Sequence, residues 1–312
     1  MNNSLLAQLK EMTKVVADTG DLEAIRRFRP EDATTNPSLI LQAAQQEDRR
    51  ERLAVIARES ADIDEAVDRV AVEIGTEISE LVPGFVSTEV SSRLSFDRDA
   101  TIKKAHSLIE RYARNGVGAE RILIKTASTW EGIQAARQLE RDGIRTNLTL
   151  LFGFAQARAC ADAGATLISP FVGRILDWHK AQNPDGDFSG ENDPGVASVK
   201  RIFEYYKAHG YATIVMGASF RNLDEIKHLA GCDRLTISPA LLNELDEQQG
   251  HLERQLNAAA ASESAASPLG EPDFRWAMND DEMANDKLAE GIRKFMADQK
   301  KLEELLGKLR QQ

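Results

Sequence analysis

The chain alternates between short apolar runs and longer amphipathic stretches. Its clearest unit begins with Ile122-Leu123-Ile124, a run typical of a strand that is buried on both faces. Ser128 or Thr129 can cap a helix whose apolar residues then recur at helical spacing. Gly143 stands where a glycine commonly ends a helix, and a second strand is predicted over 145–151. The unit is therefore a strand, a helix, a glycine and another strand.

The same unit recurs along the chain. Strands that alternate with helices predict a parallel sheet, and eight such strands predict a closed (β/α)8 TIM barrel in the α/β class. An open, doubly wound sheet is the alternative, but no glycine-rich nucleotide-binding sequence follows the first strand. The predicted strands span 13–18, 32–36, 85–90, 121–127, 145–151, 165–170, 211–219 and 234–238.

Three segments depart from the simple repeat. Pro37–Leu81 carries about two helices' worth of amphipathic sequence, which predicts extra helices. Segment 258–272 is rich in Ala, Ser, Pro and Gly and predicts a mobile surface loop. A long C-terminal helix is predicted over 281–309, with an apolar stripe that packs across the barrel or against a partner subunit. Because no low-complexity linker divides the chain near its middle, residues 1–312 are predicted to form one domain.

Composition narrows the possible partners. A net charge of −11 argues against a nucleic-acid or anionic-membrane surface, since both bind a basic face. Cys160 and Cys232 are far apart, and the five histidines have no ligand spacing, so reduced core thiols and no metal site are expected. The N-terminus lacks the apolar run of a signal peptide, and no apolar stretch is long enough to span a membrane. A cytoplasmic protein is predicted.

Polar residues collect at one end of the predicted barrel. TIM-barrel enzymes carry their chemistry at the carboxyl ends of the strands. Seven of the eight predicted strands end in polar residues, where a barrel that needed only stability would carry Val, Ile or Leu. These residues are Asp18, Thr34 with Asn36, Ser87 with Glu89, Lys125, Asn147 with Thr149, Ser169, and Ser219 followed by Arg221.

Lys125 is the candidate nucleophile because it lies near the end of an apolar strand. Burial there disfavours the ammonium form and lowers the pKa of the lysine, which supplies the neutral amine that attacks a carbonyl. The alternative is a lysine whose stem packs while its head reaches water. Glu89 and Asp18 favour Schiff-base chemistry, since an imine forms through repeated proton transfers. Asp18 is also compatible with a structural cap or ion pair.

Arg174 and Arg221 are the candidate phosphate ligands. Arg221 follows a strand end and precedes a helix, so neighbouring backbone N–H groups can also bind an anion. Arg174 follows Gly173, which allows close approach of the backbone. Two ordinary surface ion pairs are the alternative.

Five motifs resemble those of bacterial-type, class I transaldolases. The resemblance covers nearly the whole chain in order, although Gly153 stands where a serine is expected in close relatives. The motifs are Val15-Val16-Ala17-Asp18-Thr19-Gly20-Asp21, Asp32-Ala33-Thr34-Thr35-Asn36-Pro37-Ser38, Ile122-Leu123-Ile124-Lys125, Ile168-Ser169-Pro170-Phe171-Val172-Gly173-Arg174 and Met216-Gly217-Ala218-Ser219-Phe220-Arg221-Asn222.

The resemblance implies an enzyme of the non-oxidative pentose phosphate pathway without metal or cofactor, a cytoplasmic homodimer whose substrates are sugar phosphates. It would transfer a dihydroxyacetone unit from sedoheptulose 7-phosphate to glyceraldehyde 3-phosphate, giving erythrose 4-phosphate and fructose 6-phosphate. Lys125 would form the Schiff base. Glu89 would move protons through a water held with Thr149, and Asp18 would deprotonate the hydroxyl on the carbon that leaves. The implied substrate-binding residues are Thr34, Asn36, Asn147 and Ser169 for hydroxyls, Phe171 for the pocket wall, and Arg174, Ser219 and Arg221 for the phosphate.

Three other functions are compatible with parts of this pattern. A small sugar-phosphate aldolase would use the same imine and release dihydroxyacetone, but such relatives lack the Pro37–Leu81 insertion and the C-terminal helix. A pyridoxal-phosphate enzyme would also use a lysine, and the purified protein would then be yellow. A non-catalytic sugar-phosphate-binding barrel would have no need of a desolvated amine.

Overall fold

Eight parallel strands close into a barrel in which each strand pairs with its neighbour in chain order. The computed structural model describes residues 4–258, 261–264 and 267–312. The predicted TIM barrel is confirmed, and every strand lies within its predicted range. The strands are β1 (Lys14–Asp18), β2 (Asp32–Thr34), β3 (Val86–Glu89), β4 (Ile122–Ala127), β5 (Thr146–Leu151), β6 (Leu167–Pro170), β7 (Ile214–Gly217) and β8 (Arg234–Ile237).

Helices surround the barrel and cover one end of it. Within the described ranges they are α1 (Leu5–Lys10), α2 (Leu22–Phe28), α3 (Pro37–Ala44), α4 (Arg50–Glu59), α5 (Ile63–Ser79), α6 (Arg98–Arg114), α7 (Trp130–Arg141), α8 (Phe154–Asp162), α9 (Val172–Gln182), α10 (Pro194–Ala208), α11 (Leu223–Lys227), α12 (Pro239–Glu247), α13 (Glu271–Asp280) and α14 (Glu282–Arg310). None of the helices in these ranges combines the length and apolar character needed to cross a membrane.

Local signals explain where the elements begin and end. Thr129 caps α7 by accepting a hydrogen bond from the backbone N–H of Gly132 at 3.0 Å. Gly143 follows this helix with a φ of +81°, a conformation that glycine adopts without steric cost. The strand–helix–glycine–strand unit that the sequence predicts is therefore the repeating unit of the barrel.

Two apolar layers hold the fold. A small cluster fills the inside of the barrel, and a much larger one lies between the strands and the surrounding helices. Since the inward-facing residues of the upper strand ends are polar, the inside layer stops below them. The residues of the inner cluster are Val16, Leu123, Leu167 and Met216.

Several predicted boundaries were wrong. Strand 211–219 is shorter, beginning at Ile214 and ending before Ser219, whose φ of +62° is incompatible with a strand. Segment Pro37–Leu81 holds three helices instead of two, because Ser60–Asp62 separates α4 from α5. Part of the predicted loop 258–272 lies outside the described residues, and its last two residues belong to α13, which the pattern missed because this helix buries only Phe274 and Met278.

The C-terminal helix α14 packs across the barrel, which was one of its two predicted positions. It begins one residue after its predicted start, since Asp281 is the cap, and ends at Arg310. Its partners include α3, α4, α5, α9, α13 and β5. Phe295 on this helix is buried at the mouth of the barrel. A segment remote in sequence therefore covers the end where the polar residues collect.

A buried ion pair joins strands at the opposite end of the barrel. Arg234 of β8 donates to Asp32 of β2, and both side chains are less than a tenth exposed. Asp32 also accepts a hydrogen bond from the backbone N–H of Phe85 at 2.7 Å. Because β8 and β2 flank β1, this cluster reaches across β1 and links β8 and β2 with the segment that leads into β3.

We expect Arg234→Met to lower the free energy of unfolding by about 3–5 kcal/mol, because it leaves a buried carboxylate without its partner. Urea unfolding followed by circular dichroism measures the loss. The matched control is Lys14→Met, which removes the partner of Glu31 in an exposed pair and should stay within about 1 kcal/mol of the unchanged protein. Equal losses in the two variants would contradict the structural role of the buried pair.

Candidate active site

A pocket of about 370 Å³ opens at the carboxyl ends of the barrel strands. Eight of the twelve site residues predicted from the sequence line it: Asp18, Thr34, Asn36, Lys125, Ser169, Phe171, Arg174 and Ser219. The other four, Glu89, Asn147, Thr149 and Arg221, do not line the pocket. Glu89, Asn147 and Arg221 contact residues that line the pocket. For Thr149, only the register of β5 against β4 brings it near the site.

A larger pocket of about 740 Å³ lies outside the barrel, among α3, α5, α6 and α14. It touches Asn36 and Glu89 but contains neither Lys125 nor either candidate phosphate-binding arginine. We assign the candidate site to the smaller pocket because the candidate nucleophile Lys125, the carboxyl group of Asp18 and the half-buried Arg174 converge there.

Lys125 is held inside the barrel by the register of three strands. It lies beside Glu89 of β3 and beside Asn147 of β5. Its Nζ is 3.5 Å from Oε2 of Glu89 and donates a hydrogen bond to the carbonyl oxygen of Thr35 at 3.2 Å. The side chains of Lys125 and Glu89 are each 4% exposed. The amine is therefore buried next to a carboxyl group, as its strand position predicts.

Burial changes the acidity of Glu89. Desolvation raises the pKa of this carboxyl from 4.5 to about 7, although the nearby Lys125 opposes the shift. Within the described part of the chain, its Oε2 has no hydrogen-bond partner apart from the ion pair with Lys125. Since the folded protein holds this proton more tightly than the unfolded chain, raising the pH from 4.5 to about 7 lowers the free energy of unfolding. A carboxyl with a pKa near neutrality can both donate and accept a proton there.

Asp18 is the second buried carboxyl of the site. The hydroxyl of Thr34 donates to its Oδ1 at 2.8 Å, and the hydroxyl of Thr236 is 2.7 Å from that of Thr34. Burial raises the pKa of Asp18, while Lys125, the Thr34 hydrogen bond and Arg174 act in the opposite direction. These contacts join β1, β2 and β8 at the pocket floor.

A buried hydrogen-bond chain joins β3, β5 and β6. The side-chain amide of Asn147 donates to Oγ of Ser87 at 3.0 Å, and Ser169 donates to Oδ1 of Asn147 at 2.6 Å. Thr149 lies two residues beyond Asn147, on the same face of β5. Its Oγ1 is buried and has no partner among the described residues. This hydroxyl is therefore free to bind a small polar molecule.

The two arginines differ in their surroundings. Arg174 lies between the rings of Phe171 and Phe295, with its guanidinium carbon 5.0 and 5.6 Å from the ring centres. Its Nη1 is buried and has no hydrogen-bond partner in the described ranges. Burial, with Arg221 nearby, lowers the pKa of Arg174. Arg221 is half exposed and binds Asp177 through Nη2 at 2.7 Å. Among the described residues, Arg174 thus has a buried nitrogen without an acceptor, whereas Arg221 is paired with Asp177.

Sequence reasoning missed three residues that line the pocket, Ala218, Thr236 and Phe295. Thr236 lies between apolar neighbours within β8, so it does not stand out at a strand end. Phe295 belongs to the apolar stripe of α14, which marks it only as a core residue. Among the described residues, no group of three or more His, Cys, Asp or Glu side chains is placed to hold a metal ion.

The model of the family described as Transaldolase/Fructose-6-phosphate aldolase matches residues 15–306. The chain belongs to this family. It is similar to a protein named Transaldolase from Pseudoalteromonas atlantica, with 58% identity over 98% of this chain and 99% of the relative. It is also similar to a Transaldolase from a Shewanella species (strain ANA-3), with 59% identity over 96% of this chain and 97% of the relative.

The transaldolase resemblance predicted from the five motifs is thereby confirmed, and so is the class of enzyme. The family match begins in β1 and runs into α14. It therefore spans every strand that contributes a residue to the pocket, together with the helix that carries Phe295.

We expect the side-chain carboxyl of Glu89 to titrate near pH 7. Protein labelled with ¹³C at glutamate Cδ should show this midpoint by NMR, and Glu89→Gln should remove it. Lys125→Met should move the midpoint upward, because the ammonium group lowers the pKa of Glu89.

Glu225 supplies an internal control for this titration. Burial, with Asp193 nearby, raises the pKa of this carboxyl to about 7 as well, and the causes of that shift do not include Lys125. Its midpoint should therefore stay unchanged in Lys125→Met. A Glu89 midpoint near 4.5 would show that the carboxyl is solvated.

Proposed function

We propose that the enzyme transfers a dihydroxyacetone unit from sedoheptulose 7-phosphate to glyceraldehyde 3-phosphate, forming erythrose 4-phosphate and fructose 6-phosphate. The transfer proceeds through a Schiff base on Lys125. The observation that carries this proposal is the buried Nζ of Lys125, 3.5 Å from Glu89 and facing a pocket at the carboxyl ends of the strands. Buried amines close to carboxyl groups are suited to nucleophilic attack on a carbonyl.

Schiff-base formation needs two proton transfers at one oxygen. Nζ of Lys125 attacks the ketone carbon and gives up one proton. The ketone oxygen takes up one proton to form the carbinolamine and a second one to leave as water, and the C=N bond forms as a protonated imine. Glu89 performs both transfers, since its pKa of about 7 lets it exchange a proton at neutral pH. The unpaired oxygens of Glu89 and Thr149 support a role for a water molecule held between them.

Carbon–carbon cleavage needs a base at the hydroxyl two carbons from the imine. Asp18 takes this proton, the bond between the third and fourth carbons breaks, and its electrons flow into the protonated imine. The aldose leaves, and a three-carbon enamine stays on Lys125. Attack of the enamine on the incoming aldehyde reverses these steps. The raised pKa of Asp18 supports its role as the base.

The remaining residues bind the substrate. The hydrogen-bonding groups of Thr34, Asn36, Asn147 and Ser169 bind sugar hydroxyls, and Phe171 forms a wall. Arg174, Ser219 and Arg221 bind the phosphate, because the unpaired Nη1 of Arg174 lacks an acceptor and Arg221 already contacts the hydroxyl of Ser219 at 3.3 Å.

An acceptor assay tests the proposed function directly. With fructose 6-phosphate alone the enzyme should release little free dihydroxyacetone, whereas added erythrose 4-phosphate should give sedoheptulose 7-phosphate at a much higher rate. Rapid release of dihydroxyacetone without an acceptor would identify an aldolase instead, and it would contradict the proposed transfer.

We expect the two carboxyl groups to act at different steps. Borohydride reduces the Schiff base, so mass spectrometry of trapped enzyme reports which adduct is present. With fructose 6-phosphate, Asp18→Asn should accumulate an uncleaved six-carbon adduct, and Glu89→Gln should trap little of either adduct. Each activity should fall on the order of 10²–10⁴-fold. A three-carbon adduct that forms at the normal rate in Asp18→Asn would refute this division of roles.

We expect Arg174→Ala and Arg221→Ala to weaken binding of phosphorylated sugars by about 1.5–3 kcal/mol each. Arg174→Ala should weaken binding more than Arg221→Ala, since Arg221 is already paired with Asp177. The measurement is kcat/KM for phosphorylated and unphosphorylated substrates. Arg201→Ala, which removes another arginine stacked on a phenylalanine, is the matched control and should change neither value. Equal losses for both substrate types would show that the two arginines are structural.

A further inference from the structure

The strand that carries Thr149 is interrupted directly after this residue. Leu150 has a φ of +51°, a left-handed conformation that is rare for a bulky side chain. Between Leu148 and Leu151 the pairing advances three residues on β5 but only two on β6, which is a β-bulge. Leu150 and Leu151 both pack in the large core cluster, so Thr149 is the last residue of β5 that follows the inward alternation.

Gln156 of α8 satisfies the backbone around this bulge. Its Nε2 donates to the carbonyl oxygens of Ser128 at 2.9 Å and Leu150 at 3.0 Å. Its Oε1 accepts from the backbone N–H groups of Phe152 at 2.8 Å and Gly153 at 2.9 Å. The residue is fully buried, and all four bonds go to backbone groups. A single amide side chain therefore holds both sides of the bulge.

Two further contacts restrain the same segment. The carbonyl oxygen of Thr149 accepts hydrogen bonds from the backbone N–H of Ser128 at 2.8 Å and from its hydroxyl at 2.7 Å. Gly291 of α14 packs on Leu150 so closely that a Cβ at position 291 would lie 2.6 Å from Leu150 Cδ2. A strained backbone conformation persists only where its surroundings enforce it, and such strain is common at active sites.

We propose that Gln156 is a positioning residue for Thr149. It holds Leu150 in its left-handed conformation and Ser128 against Thr149. These contacts fix the position of the Thr149 hydroxyl along β5, where the hydroxyl takes part in proton transfer to and from the Schiff base. The inference rests on the proposed function of Thr149. Gln156 acts only through the backbone that it holds, since all four of its hydrogen bonds join backbone groups of Ser128 or of the segment that follows Thr149.

Gln156→Met tests the proposal, because it keeps the length of the side chain and removes all four hydrogen bonds. We expect kcat and the rate of borohydride trapping to fall by about 10-fold or more, with KM nearly unchanged, since substrate-binding groups stay in place. Combining it with Thr149→Val should add less than about a 2-fold further loss, because two residues that act through the same group are not additive.

Tyr206→Phe is the matched control. Tyr206 is fully buried and donates to the carbonyl oxygen of Ala157, the neighbour of Gln156 on α8, at 2.6 Å. Loss of this hydrogen bond should lower the free energy of unfolding and leave kcat unchanged. Hydrogen exchange at the backbone N–H of Ser128 gives a readout independent of activity. It should accelerate in Gln156→Met and stay protected in Tyr206→Phe.

Unchanged exchange at Ser128 in Gln156→Met would overturn the proposal, as would a fully additive loss of kcat in the double variant. If Gln156→Met does not fold, Gln156→Glu keeps the shape and one acceptor oxygen while removing at least one of the two donated bonds, and the same outcomes apply. Failure of the proposed function would look different, because the unchanged enzyme itself would then neither transfer dihydroxyacetone nor trap an adduct.

Discussion

The register between β3 and β4 sets Lys125 beside Glu89 inside a closed barrel, and the burial of these two groups is the constraint on which the rest of the site depends. An ammonium or carboxylate group removed from water is costly unless charges and hydrogen bonds compensate it. Thr35 supplies a carbonyl oxygen to Lys125, and Asp18 adds a second carboxyl whose pKa burial raises while Lys125 opposes the shift. The apolar layer below them, around Leu123, separates this charged group from the opposite end of the barrel.

The C-terminal helix completes the pocket that the strand ends form. Phe295 and Phe171 flank the guanidinium of Arg174, whose buried Nη1 has no hydrogen-bond partner among the residues that the structure describes. The same helix places Gly291 on Leu150, next to the β5 residue with the unpaired hydroxyl. One helix therefore contributes to the entrance of the pocket and packs on the strand that carries Thr149, although the residues it contacts come from distant parts of the chain.

The sequence predicts the barrel well because its strands are short apolar runs with polar ends, and both signals are local. Lys125 and Glu89 stand out for this reason. Thr236 does not, since a single threonine between apolar residues is ordinary in a strand, and its contact with Thr34 exists only once β8 closes on β1. The bulge at Leu150 is hidden for a similar reason: the sequence reads as a regular strand, and the left-handed residue is enforced by Gln156 and α14.

The most direct test of this account is the identity of the lysine that forms the Schiff base. The protein is incubated with fructose 6-phosphate and borohydride, digested, and mapped by mass spectrometry. The account predicts a single three-carbon adduct on Lys125, which disappears in Lys125→Met and persists in Lys104→Met, a change in the larger outer pocket. An adduct on Lys104 or any other lysine, or an active enzyme that traps no adduct, would contradict it.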